Sequence, residues 1–202
     1  MKRIILLAAM AISSVAMAQD NKKVQDAFQQ SYTLESKYNY KSALAVLKSV
    51  YTDKSYELNL RLGWLSYLDS NQTASLSYYQ KAIDLMPNAI EPKFGIVYPL
   101  SVLGKWDEVI KQYDLILKLD PNQTTANYRL GLIYYNRGQF EKAKGYLDKF
   151  LGLYPFDYDA VMMSAWVNLM LSKNAEAKTL FNRALLISPG DKLALEGISM
   201  VK

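Results

Sequence analysis

The chain has 202 residues, half of them hydrophobic, with 24 Lys and Arg against 19 Asp and Glu for a formal net charge of +5. It contains neither histidine nor cysteine, which removes imidazole general bases, Ser-His-Asp and Cys-His nucleophiles, disulfide staples and zinc sites of the usual His/Cys kind. Carboxylates remain, but Glu141 with Lys142 and Lys144, and Asp148 with Lys149, read as solvated helix faces, and no pair stands apart as a catalytic constellation. The glycines form no phosphate-cradling loop. The expectation is a protein without enzymatic activity, cofactor or metal.

Met1-Lys2-Arg3 precedes an apolar run from Ile4 to about Val15, which ends in Ala16-Met17-Ala18. A basic start, a short apolar stretch and an A-x-A end make residues 1–18 a secretory signal peptide, cleaved after Ala18. The run is shorter than the roughly 18–20 residues that span a bilayer, so no stable membrane insertion is expected after cleavage. Removing Lys2 and Arg3 lowers the net charge from +5 to +3. The remaining basic and acidic residues are interspersed and form no basic stripe, so nucleic acid is not an expected partner.

From Lys22 onward, apolar side chains recur at three- and four-residue spacing in pairs of helical length, each pair broken by one turn. In residues 22–55, Phe28, Ser31, Tyr32 and Leu34 mark one helix and Tyr40, Ala43, Leu47 and Val50 its partner, across Tyr38-Asn39. Residues 56–89 turn at Asp69-Ser70-Asn71, residues 90–123 at Gly104, residues 124–157 at Gly138, and residues 158–191 at Ser172-Lys173-Asn174. Residues 192–202, with Leu193, Leu195, Ile198 and Val201, read as one more amphipathic helix that caps the last pair. Pro87, Pro121, Pro155 and Pro189 recur at one constant interval, where one pair must end and the next begin. Pro99 falls inside a predicted helix, where it costs roughly 3 kcal/mol and predicts a kink between Gly95 and Pro99.

In residues 124–157, Leu130-Gly131, Tyr134, Ala143, Leu147 and Pro155 occupy the positions of the tetratricopeptide repeat signature, with Asn127 in place of its Trp and Leu147 in place of its Phe. The interval between the prolines also equals that signature's period of about 34 residues. The chain therefore resembles the tetratricopeptide repeat family. That resemblance implies an all-α fold, a right-handed α-solenoid of about five antiparallel helix hairpins plus a C-terminal capping helix. Small Gly131 and Ala143 are expected to let the two helices of their hairpin approach closely.

In that family the first helices of successive repeats line a concave groove that holds a peptide or a partner's helix. Carried onto this chain, the resemblance gives two columns of partner-binding residues. Phe28, Leu60, Phe94, Tyr128 and Met162 form the first; Tyr32, Trp64, Tyr98, Leu132 and Trp166 form the second. Each pair within a helix is four residues apart and so shares a face. Arg61 and Arg129 are expected as a polar rim, and Met162, Met163 and Trp166 as an adaptable apolar end of the groove. The expected function is an exported, periplasmic or secreted, adaptor or scaffold that takes a protein or peptide segment in an aromatic-rich groove. The alternative is a self-assembling homo-oligomer or a permanently docked subunit of a cell-envelope complex.

Overall fold

The computed structural model describes residues 21–201, and the expected signal peptide lies outside them. The described chain is helical from 21 to 35 (α1) and then in α2 (Tyr40–Lys48), α3 (Tyr56–Leu68), α4 (Gln72–Leu85), α5 (Glu91–Val102), α6 (Trp106–Leu119), α7 (Thr124–Asn136), α8 (Phe140–Leu153), α9 (Tyr158–Met170), α10 (Asn174–Ile187) and α11 (Lys192–Met200). The helices group into two units, one ending at Val109 and the other starting at Ile110.

The helix starts are written into the sequence. Side-chain oxygens of Asn39, Ser55, Asn71, Gln123, Asp157 and Asp191 each accept from the backbone N–H three residues on, at 2.7 to 3.3 Å. Removing a Ser, Asn or Asp cap of this kind costs about 1 kcal/mol. The turns inside the hairpins also recur. Tyr38, Ser70, Gly104, Gly138 and Ser172 all have φ between 58° and 68°, and the three with a Cβ pay about 1 kcal/mol or more for it. Ser70→Gly and Ser172→Gly are therefore each expected to raise stability by up to about 1 kcal/mol, part of the gain being offset by the greater freedom of glycine in the unfolded chain. A lowered melting temperature for both variants would contradict this.

A second repeating device explains a departure from the family signature. Asn59, Lys93 and Asn127 hold the same place in three successive repeats, and each side chain turns back onto carbonyls of the loop before its own helix. Asn59 Nδ2 donates to Asp53 and Ser55 at 3.0 and 2.7 Å, and Asn127 Nδ2 to Pro121 and Gln123 at 3.1 and 3.0 Å. Lys93 Nζ donates to Pro87 and to Ala89, the latter at 2.8 Å. Asn127 thus replaces the signature Trp with a polar lashing that satisfies buried loop carbonyls.

In the first unit, Leu58, Leu62 and Leu65 of α3 meet Ala43, Leu44 and Leu47 of α2 and Ala27 of α1. Burying each of these leucines contributes on the order of 2 kcal/mol. Behind α3, Tyr79 of α4 runs its ring past two glycines. A methyl group on Gly63 would stand 2.9 Å from Tyr79 Cγ, and one on Gly95 would stand 2.5 Å from Tyr79 Cζ. Helix α5 continues past Pro99 to Val102, with Pro99 buried.

In the second unit, Gly131 of α7 receives Leu147 of α8, where a methyl group would lie 2.7 Å from Leu147 Cγ. This is the close helix approach expected at Gly131, with Leu147 as the side chain that uses it. Val161, Met162 and Ala165 of α9 meet Ala177, Phe181 and Ala184 of α10, and α11 adds Ala194. Gly197 of α11 leaves room for the Phe181 ring, since a methyl there would fall 2.6 Å from Phe181 Cε2.

Candidate functional site

Three helices of the first unit turn one face each to a common cavity of about 500 Å³. Helix α1 supplies Phe28 and Tyr32; α3 supplies Glu57, Leu60, Arg61 and Trp64; α5 supplies Glu91, Phe94, Gly95 and Tyr98. The i, i+3, i+4, i+7 spacing is identical in α3 and α5, the first helices of successive repeats, so both present the same stripe. Tyr79 reaches the same cavity from α4, behind the lining helices, through the space left by Gly63 and Gly95.

One carboxylate ties the aromatic wall together. Glu35, one turn beyond Ser31 on α1, accepts from Trp64 Nε1 at 2.7 Å and from Arg61 Nη1 at 2.5 Å. Arg61 Nε donates to Ser31 Oγ at 3.2 Å, and that hydroxyl donates to the Phe28 carbonyl at 2.8 Å. The guanidinium carbon lies 3.9 Å from the centroid of the Tyr32 ring, within cation–π range. Arg61 is only 7% exposed, and its Nη2 has no hydrogen-bond acceptor. Arg61 is therefore not a rim charge free to swing onto a ligand. It is a buried cation neutralised by Glu35, because Ser31 and Glu35 sit four residues apart on the face of α1 opposite it.

The aromatic side chains around this network pack on one another and on Trp64, and still reach solvent. Trp64, Tyr67 and Tyr98 have ring centroids 5.4 to 5.7 Å apart, tilted or edge-on as aromatic quadrupoles prefer. Tyr32 is 54% exposed and Tyr98 48% exposed. At the other end, Tyr56 Oη donates to Glu91 at 3.3 Å. Burial, and then the Glu91 charge, pushes the Tyr56 phenol up to about 12.

The second unit treats the same columns differently. Tyr128 is half-buried with its ring 5.3 Å from Phe150, Leu132 is half-buried, and Arg129 is exposed. Met162 is 7% exposed within the α9–α10 core, and Trp166 packs edge-on to Phe181 at 5.0 Å. Of the expected adaptable groove end, Met162 is thus part of the hydrophobic core, and Trp166 is half-buried against it. The physical reason is the small side chains around them: Ala165, Ala177 and Ala184 let α9 and α10 close over Met162 and bring Phe181 against one side of Trp166.

Of the sequence-derived columns, Phe28, Tyr32, Leu60, Trp64, Phe94 and Tyr98 are brought together in one cavity, and Tyr128, Leu132, Met162 and Trp166 do not line it. Sequence reasoning missed Glu35, Tyr56, Glu57, Tyr79 and Glu91. Glu57 and Glu91 carried a signal, since they recur at the same place in successive repeats; Tyr79 gave none, because it belongs to a second helix.

The half-buried phenols of Tyr56 and Tyr146 and the buried one of Tyr79 are expected to set the alkaline limit of the fold. Tyr146, like Tyr56, is pushed up to about 12, by burial and then by Asp114, to which it donates at 3.4 Å. Burial raises Tyr79 as well. An unfolded chain releases these protons near pH 10 while the folded one holds them, so stability falls as pH rises from about 10 to 12. Phenolate absorbance is expected to rise in two stages, the second together with loss of helical circular dichroism. A single stage near pH 10 with helicity retained would contradict it.

No helix among the described residues is long and apolar enough to cross a membrane. A tetratricopeptide repeat family model matches residues 128–192. A TPR repeat-containing protein of Methanocaldococcus jannaschii is 31% identical over 103 residues, an alignment covering 48% of this chain and 17% of that relative, so the chain spans only a small part of the relative's length. Among solved structures, a tetratricopeptide repeat protein from Parabacteroides merdae superposes with a TM-score of 0.74 at 21% identity, over 89% of this chain and 72% of that one. YrrB, described as a TPR protein with an unusual peptide-binding site, superposes with a TM-score of 0.70 at 16% identity, over 92% of this chain and 97% of its own. The hairpins of residues 128–192 thus match the tetratricopeptide repeat family, and the described chain shares the α-solenoid fold of tetratricopeptide repeat proteins.

Proposed function

We propose that this protein is an exported, non-catalytic interaction module that holds a segment of a partner polypeptide in the cavity of its first unit. The observation that carries the reading is the exposure of Tyr32 and Tyr98 on a cavity whose wall includes Arg61 and Trp64, both held in place by Glu35. A wall locked before binding loses little entropy when a ligand arrives, and Tyr and Trp are frequent anchors of protein interfaces. The peptide-binding site ascribed to YrrB, which shares the fold, supports the same use here. Export rests on the basic, apolar and A-x-A order of residues 1–18, and cell fractionation with mass spectrometry of the mature N-terminus tests it, Gln19 being the expected first residue.

For the site, Tyr98→Ala combined with Tyr32→Ala is expected to abolish retention of partner polypeptides on the immobilised protein, with helical circular dichroism preserved because both side chains are about half in water. Retention equal to wild type would rule the cavity out as the binding site. A second reading, self-assembly, is favoured by one observation: α11 leaves Leu193, Leu195 and Met200 exposed. Light scattering separates the two, since assembly through α11 makes the mass concentration-dependent and sensitive to Leu193→Glu.

A further inference from the structure

The cavity is not merely apolar, and its charge pattern narrows what it takes. Three charged side chains line it: Glu57, Arg61 and Glu91. Arg61 is cancelled by Glu35 at 2.5 Å, which leaves two carboxylates. Both are exposed, and they hold equivalent places in the first turns of α3 and α5. Acids suit any helix start. Here, though, they share one mouth of one cavity, and the Tyr56 hydroxyl holds Glu91 in place. Seven residues of α3 separate Glu57 from Trp64, about 10 Å along the helix at 1.5 Å per residue. About three residues of extended chain cover that distance. Between the two ends Arg61 lines the cavity, with its Nη2 buried and held out of reach of a ligand.

We infer that the segment bound here is a basic-aromatic peptide. A Lys or Arg sits between Glu57 and Glu91, and about three residues away an aromatic or large aliphatic side chain packs against Tyr32, Trp64 and Tyr98. This rests on the cavity being the binding site and adds the chemistry of its occupant. Charge complementarity selects the cation: an acidic segment would meet two like charges and no uncompensated cation.

The test is selection of a random dodecapeptide library on the full chain, run in parallel on the Glu57→Gln/Glu91→Gln and Tyr98→Ala variants, with sequencing of the selected pools. On the wild type, Lys or Arg is expected two to four residues from an aromatic or large aliphatic residue. Against Glu57→Gln/Glu91→Gln the cation preference is expected to vanish while the aromatic one stays. A selected peptide made synthetically should lose roughly tenfold in affinity there, the worth of two exposed ion pairs. Aromatic enrichment with no cation, or with an acid in its place, overturns this inference and leaves the cavity reading standing, provided it disappears with Tyr98→Ala. Peptides indifferent to Tyr98→Ala overturn both. A wild-type dimer that Tyr98→Ala dissolves places a second copy in the cavity and likewise overturns the inference.

Discussion

Glu35→Ala is expected to destabilise the protein by about 3 kcal/mol, out of the roughly 5–15 kcal/mol typical of a folded domain. The substitution strands the Arg61 guanidinium, 7% exposed, with Ser31 Oγ as its remaining side-chain acceptor, and leaves Trp64 Nε1 without its carboxylate. Removing one partner of a buried pair costs far more than the pair is worth, because the other charge stays behind desolvated. Glu35→Gln is expected to cost less, since its amide oxygen still accepts one of the two hydrogen bonds. Arg61→Met in the Glu35→Ala background should recover most of the loss by removing the orphaned charge. Urea denaturation of the three variants measures all of this. A loss under about 1 kcal/mol for Glu35→Ala would class the pair with surface salt bridges and take away the locked wall on which the cavity depends.

The second large effect is expected at Gly95. Gly95→Ala places a methyl group 2.5 Å from Tyr79 Cζ, and the ring cannot slide aside freely because Gly63 confines its other end, where a methyl would stand 2.9 Å from Cγ. Overpacking of this kind costs roughly 1–3 kcal/mol, and we expect the upper end. The interaction is specific: in a Tyr79→Leu background the ring is gone, and Gly95→Ala should then cost under about 1 kcal/mol, so a double-mutant cycle gives a coupling of about 2 kcal/mol. Additive losses would mean that Gly95 is required for some reason other than the ring.

These two sites show what a sequence can and cannot carry. The hairpin order, the proline stops and the aromatic column at Tyr32, Trp64 and Tyr98 follow from periodicity, because a constant register places equivalent residues on equivalent faces. The Glu35 pairing does not follow from it. Repeat alignment placed Phe28 and Tyr32 of α1 on the cavity, but it reports equivalent positions within repeats and not which side chains of neighbouring helices pair, so the Glu35–Arg61 contact was not legible in it. Arg61 accordingly read as a rim charge, and its burial depends on a contact with a helix of the preceding hairpin. Tyr79 is a similar case. It occupies a signature position in a second helix, yet its ring passes through to the cavity only because Gly63 and Gly95 both lack a side chain. In the second unit the same alignment placed Met162 and Trp166 on an open groove. Alanines at 165, 177 and 184 set how closely α9 and α10 approach, and that spacing, not the register, put Met162 in the core and half-buried Trp166 against it.

Whether a partner polypeptide occupies the cavity of the first unit can be read by photocrosslinking. A photoreactive benzoylphenylalanine is placed at position 98, and separately at Gln80, an exposed position of α4 outside the cavity lining, and the cells that make the protein are irradiated. Position 98 is expected to give a discrete crosslinked polypeptide that is absent from position 80 and lost when Tyr32 is also Ala. The same adducts from both positions, or none from position 98, would contradict occupation of the cavity.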